Sequence, residues 1–305
     1  MGTLARAIQS LILLSTWLLA HALAADGCPP AGYTNADLTS LRMRGFSLED
    51  DSQRNALAIE LLGCTGAADP AIRDAVVYEG LARWLRSKQL TTPTVDALRA
   101  ELLRQLLTAD DADGFRKPFA ALILAEVVRS DRIDPVFTAG QREQLVRAAA
   151  EYLRGVRDYR GFSATEGWRH GVAHGSDLIL QLVLNPNIDA EQAQRLVAAV
   201  ATQVAPPGEI FYIYGEPERL ARAVFYAHRR GDSSETEWSA WLQGLVDPRP
   251  LAAWSEAYLH QAGLARRHNT LAFLQSLHLA AANAGDARGN ELAAQVMEAV
   301  RLIKG

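Results

Sequence analysis

Apolar side chains recur at three- and four-residue intervals along almost the whole chain, and alternation of apolar with polar positions is nearly absent. That periodicity predicts helices throughout and few strands. Asp69-Pro70 opens one helix, carried through Ile72, Val76, Leu81, Trp84 and Leu85, with the proline where a first-turn proline belongs. Thr92-Pro93 opens the next, through Val95, Leu98, Leu102, Leu103 and Leu106. Further helices are predicted over Phe115 to Val128, Gln141 to Val156, Glu166 to Leu184 and Ala190 to Val204. The last group covers Pro217 to Arg229, Glu235 to Leu242, Trp254 to Ala284 with a break near Gly263, and Asn290 to Ile303.

The breaks between them, at Gly66, Ser87, Asp110 to Asp113, Asp131 to Pro135, Asn185-Pro186 and Pro206-Pro207-Gly208, are short and polar, and none resembles an interdomain linker. Helices of this length with brief turns, and no sustained heptad, fit an all-α fold of stacked antiparallel helix pairs. The expectation is an α-solenoid in the manner of HEAT or armadillo proteins. No motif returns at a fixed period, so an α/α toroid, also made of hairpins, is the alternative. Glu209 to Gly215 is the one stretch that is not plainly helical. Its aromatic and β-branched residues favour extended chain, and it reads more simply as a loop laying its aromatics on helix ends.

The first residues have a different character. Arg6 precedes an apolar run from Ala7 to Ala20, and Ala22-Leu23-Ala24 has the small-x-small form that signal peptidase cleaves. Ser15, Thr16 and His21 leave the run short of the roughly 20 apolar residues of a spanning helix. The expectation is a bacterial export signal over 1–24, then a single domain over 25–305, periplasmic or secreted, with no stable membrane span after cleavage. A retained anchor is the alternative. Cys28 lacks the upstream branched apolar residue of a lipoprotein site. Cys28 and Cys64 are the two cysteines, and an oxidising compartment lets them bridge, which would stabilise by about 4 kcal/mol. A buried free thiol at Cys64 is the other reading.

Charge excludes one class of partner. The chain carries 31 basic and 35 acidic side chains, a formal charge of -4. No basic cluster is dense enough to track a phosphate backbone, so nucleic acid is not expected.

The densest polar chemistry runs from Asp158-Tyr159-Arg160-Gly161-Phe162 into Glu166-Gly167-Trp168-Arg169-His170-Gly171-Val172-Ala173-His174-Gly175-Ser176-Asp177. On a helix, Glu166, His170, His174 and Asp177 would share a narrow arc. Gly167, Gly171 and Gly175 would form a second stripe, inviting close approach by another helix or a ligand. Histidines four apart with a carboxylate one turn on can hold a metal. However, Gly171 stands where a zinc peptidase has its glutamate, and a third ligand is only guessable among Asp177, Glu166 and His268. Three readings stay open: a buried network of neutral, satisfied histidines, a ligand pocket, and a metal site on His170, His174 and Asp177. No cofactor is expected. The Glu166 to Leu184 helix is apolar over the rest of its surface, so His174 and Asp177 should be buried with partners on another helix or on the loops near Arg160 or Tyr214.

Several of these residues also carry a family likeness. Arg160-Gly161-Phe162, Gly167-Trp168 and Ala173-His174-Gly175-Ser176-Asp177-Leu178 resemble the signature of the bacterial domain-of-unknown-function family 2785. Tyr214-Gly215-Glu216 with Arg219-Leu220 is similar to that family's second motif, and Asn269 with Phe273-Leu274 to its third. The family pattern has alanine where Ser176 stands. The resemblance spans most of the chain after residue 24, implies a helical fold and supplies no activity.

Glu216 and Arg219, three apart at a helix start, read as a surface pair or as an arginine reaching the histidine face to hold an anion. Asn269 reads as a cap or a cross-link between helices. Trp238, Trp241 and Trp254 read as core or groove aromatics, with a sugar-stacking platform as the alternative. No Gly-x-Ser-x-Gly elbow and no phosphate loop after a strand occur. The candidate binding cluster is therefore Arg160, Glu166, Trp168, His170, His174, Asp177, Glu216, Arg219 and Asn269. The expected function is binding or scaffolding in the cell envelope, with an unknown protein or small molecule as partner. The alternative is a hydrolase or lyase acting on an anionic envelope substrate through the His170/His174 face.

Overall fold

The computed structural model describes residues 27–107 and 111–304. The expected export signal lies outside the described residues. Among the described residues the elements are all helical apart from one hairpin of two two-residue strands, and the contacts fall into two compact units dividing between Glu101 and Leu102.

In the first unit, α1 (Asn35–Met43) begins at a Thr34/Asp37 capping box, and α2 (Asp51–Glu60) begins where the Asp50 carboxylate accepts from the N–H groups of Ser52 and Gln53. A 3-10 turn, Leu61–Cys64, follows. Then α3 (Pro70–Ile72), a π-helical stretch (Arg73–Tyr78) and α4 (Glu79–Arg86) run on without a break. Leu38, Leu57, Leu62, Leu81 and Trp84 fill the interior. A disulfide joins Cys28 to Cys64, so the cysteines bridge as one sequence reading expected. The periodicity missed α1 and α2, whose caps at Thr34 and Asp50 were the available signal.

Helix α5 (Thr92–Leu107) carries the division between the units. From there the order is α6 (Arg116–Ile133), α7 (Ala139–Gly155), β1 (Phe162–Ser163), β2 (Gly167–Trp168), α8 (Gly171–Val183), α9 (Ala190–Val204) and α10 (Glu216–Arg230). After these come α11 (Glu235–Leu245), a 3-10 turn (Trp254–Leu259), α12 (Gln261–Ala282) and α13 (Ala287–Lys304). The break in the long helix falls at His260, whose Nδ1 accepts from the Gly263 N–H and caps α12. Capping boxes at Thr138, Asp189 and Ser234 start α7, α9 and α11. Helix α8 packs on α6, α7 and α10, and α10 packs on α12. As expected of a helix apolar nearly all round, α8 is buried along its length, with only Asp177 and Gln181 partly reached by solvent.

One predicted helix starts in the wrong place. Residues 166–170 are not helical: β1 and β2 pair antiparallel, Phe162 opposite Trp168. Arg169 and His170 extend the ladder by donating their N–H groups to the carbonyls of Gly161 and Arg160. Gly167 (φ 73°) and His170 (φ 58°) hold left-handed backbone, which a helix cannot accommodate. The three-glycine stripe therefore shrinks to Gly171 and Gly175. A Cβ at Gly175 would sit 2.9 Å from the Tyr152 ring, so the missing side chain lets α7 approach α8.

Candidate functional site

The hairpin, the first turns of α8, the segment 209–215 and the start of α10 bring most of the candidate residues into one neighbourhood. His170 ends the hairpin and serves as N-cap of α8. Its Nε2 lies 3.0 Å from the Tyr214 carbonyl, and because a carbonyl can only accept, that nitrogen carries the proton. Burial, reinforced by the Arg219 charge, pulls the imidazole pKa down to about 4, against the favourable bond to Tyr214. The ring is neutral at physiological pH.

An aromatic row runs through this histidine. Trp168 stacks on His170 at 4.6 Å, while His174 meets His170 at 5.6 Å and Phe119 at 5.3 Å, both edge-on. Tyr214 closes on Trp168 edge-on at 5.9 Å. Its ring also lies over Gly161, where a Cβ would come within 2.0 Å of it. His170 and His174 are only 8 % and 7 % exposed. Burial of His174 is as the apolar helix predicted.

The acidic candidates separate. Glu166 lies in the hairpin turn and pairs with Arg169, whose guanidinium also donates to the Asp113 carbonyl and covers the Phe115 ring at 4.1 Å. Asp177 is nearly buried and bonds Arg219 across from α10, the interhelical partner expected of it. Burial pushes its carboxyl above the usual range, with Arg219 opposing. Glu216 does not pair with Arg219. It is buried, accepts from the Tyr214 N–H at 2.9 Å, and is pushed up by desolvation. Arg219 thus reaches the histidine-bearing helix but closes on Asp177 rather than standing ready for an anion.

The metal alternative loses its geometry. His170 bonds a carbonyl, Asp177 bonds a guanidinium, and Glu166 sits on the hairpin. His268 turns its Nε2 to the Tyr212 carbonyl at 3.3 Å. Among the described residues no three His, Cys, Asp or Glu side chains gather as a metal ion requires.

Asn269, buried on α12, clamps the segment expected to be a loop. Its amide donates to the Ile210 carbonyl and accepts from the Tyr212 N–H, at 2.8 and 2.9 Å. The Tyr212 hydroxyl donates to the Gln203 carbonyl. Residues 209–215 form no strand, so the loop reading holds.

Arg160 is exposed and paired with Asp158, and it opens onto a cleft of ≈ 570 Å³ between the hairpin and segment 209–214. Arg157, Glu166, Arg169 and the half-exposed rings of Phe162 and Phe211 line it as well. Sequence reasoning placed Asp158 and Arg169 in the polar run without choosing them as candidates, looked to the loop near Tyr214 without specifying its carbonyl, and missed Phe211.

The family model described as Protein of unknown function (DUF2785) matches residues 102–279, beginning where the second compact unit begins. No curated protein and no solved structure matches the chain. The matched segment holds the hairpin, the histidine pair, the Asp177–Arg219 pair and the Asn269 clamp, and the chain belongs to the DUF2785 family.

Proposed function

We propose that the chain is a binding or scaffold protein of the cell envelope, acting through its surface rather than by turnover. The observation that carries this reading is the sealing of the histidine pair. A general acid or base must come within hydrogen-bond reach of its substrate, yet His170 gives its Nε2 proton to a backbone carbonyl and both rings are buried. Solvent reaches the cleft beside them instead, where paired charges alternate with the Phe162 and Phe211 rings, a surface suited to a partner with polar and apolar faces.

The packing order supports stacked helix pairs. From Leu102 onward, α6, α8, α10 and α12 each pack on the next, while α7 and α9 pack on each other and against that row. Such two-layer alternation suits a solenoid or a toroid. Export to an oxidising compartment belongs to the proposal and is supported by the Cys28–Cys64 bond.

Purified protein is expected to capture a partner from periplasmic extract. Capture should be lost in a Phe162→Ser, Phe211→Ser double variant and retained in His170→Asn, with both folds checked by circular dichroism. Hydrolysis or elimination of cell-wall glycan or peptide that disappears in folded His170→Asn would overturn the reading.

A further inference from the structure

Away from the cleft, the structure assigns a second site: a tryptophan-walled pocket among α9, α10 and α11 that takes a small methylated ammonium group of the choline type. It rests on observations separate from the cleft.

The pocket measures ≈ 140 Å³ and is floored by small apolar side chains, Ala193, Val197 and Ala227 among them. A cavity of about this size holds one benzene-sized group, so the occupant is a single compact moiety rather than a chain. Trp238 and Trp241 form two walls, their rings 5.7 Å apart and inclined at 76°. His228 meets Trp238 at 5.1 Å, and Phe273 meets Trp241 at 6.2 Å, so both walls are braced by neighbouring helices. Two indoles meeting near a right angle present the electron-rich surface that draws an organic cation.

Charge points the same way. Among the described residues lining the pocket none is basic, and Asp232 and Glu237 are acidic. Asp232 is matched by Arg230. Glu237 makes no ion pair among the described residues; it accepts from the Ser234 N–H and hydroxyl as part of the α11 capping box. Its carboxylate therefore stays ionised beside the aromatic walls. A tetraalkylammonium suits this setting because it is weakly hydrated and needs no hydrogen-bond acceptor, which the apolar floor does not supply. The Trp241 indole N–H is buried without an acceptor among the described residues.

The test is a ligand-observed NMR titration of the full chain with choline and with 3,3-dimethylbutan-1-ol, its uncharged isostere. Choline should bind saturably, at least tenfold tighter than the isostere. Glu237→Gln, which preserves the capping box, should weaken choline severalfold with an unchanged melting temperature. Flotation with phosphatidylcholine vesicles separates the sources. Co-flotation blocked by choline makes a lipid headgroup the ligand, whereas choline binding without flotation makes it a free small molecule. Equal affinity for choline and isostere, or no binding of choline in either arm, overturns the assignment.

Discussion

His170 combines two unfavourable states, a left-handed backbone at φ 58° and a buried neutral ring. For an ordinary L residue the backbone alone costs roughly 1–2 kcal/mol. The bond to the Tyr214 carbonyl and the stack on Trp168 offset it. The pH dependence follows from the depressed pKa. An unfolded histidine titrates at 6.5, whereas His170 in the fold titrates at about 4. Its contribution to stability is therefore complete above pH 6.5 and is lost as pH falls through the window down to about 4. Denaturant unfolding at pH 7 and pH 4.5 should show the wild type losing up to about 2 kcal/mol more than His170→Asn, a residue that also tolerates positive φ. Parallel losses in the two proteins would show that the ring is not held neutral. That His170, His174 and Asp177 lie close together could be read from their spacing. Their bonding could not, because Tyr214 lies 44 residues from His170 and Arg219 lies 42 from Asp177.

At the level of elements, the hairpin before α8 shows how local periodicity misleads. Glu166, His170 and His174 are spaced as on a helix, yet Gly167 and His170 take left-handed φ and the backbone from Arg160 to His170 pairs with itself. The aromatic cross-strand pair of Phe162 and Trp168, 5.1 Å apart, was the competing β signal. By contrast, α9 runs over Ala190–Val204 as the periodicity predicted, its start set by the Asp189 capping box. Glycines on different elements should respond in opposite directions. Gly161→Ala drives a methyl into the Tyr214 ring and should cost about 1–3 kcal/mol. Gly244→Ala, on α11 with nothing within 4 Å of the new Cβ, should gain roughly half a kcal/mol through helix propensity. Chemical denaturation measures both, and a stable Gly161→Ala would mean that Tyr214 does not close over the hairpin.

For the molecule as a whole, the disulfide provides the clearest test. Cys28–Cys64 spans 36 residues within the first unit, and opening a loop of that length should remove about 4 kcal/mol. Hydrogen exchange with and without reductant should show protection falling most in α1 and α2. Unchanged protection there would mean that the bridge does not support the unit. What the sequence by itself determined is what short-range physics sets: helix after helix from 3.6-residue periodicity, their starts from capping residues, the burial of α8 from its apolar circumference, and two cysteines able to pair. Tertiary structure alone decided the polar partnerships. His170 went to the Tyr214 carbonyl, Arg219 to Asp177 and Asn269 to segment 209–214. The reason is that a buried polar group must find a partner but does not encode which one. The choice falls to whatever donor or acceptor the packed helices bring within 3 Å, and that proximity exists only once residues distant in the chain have come together.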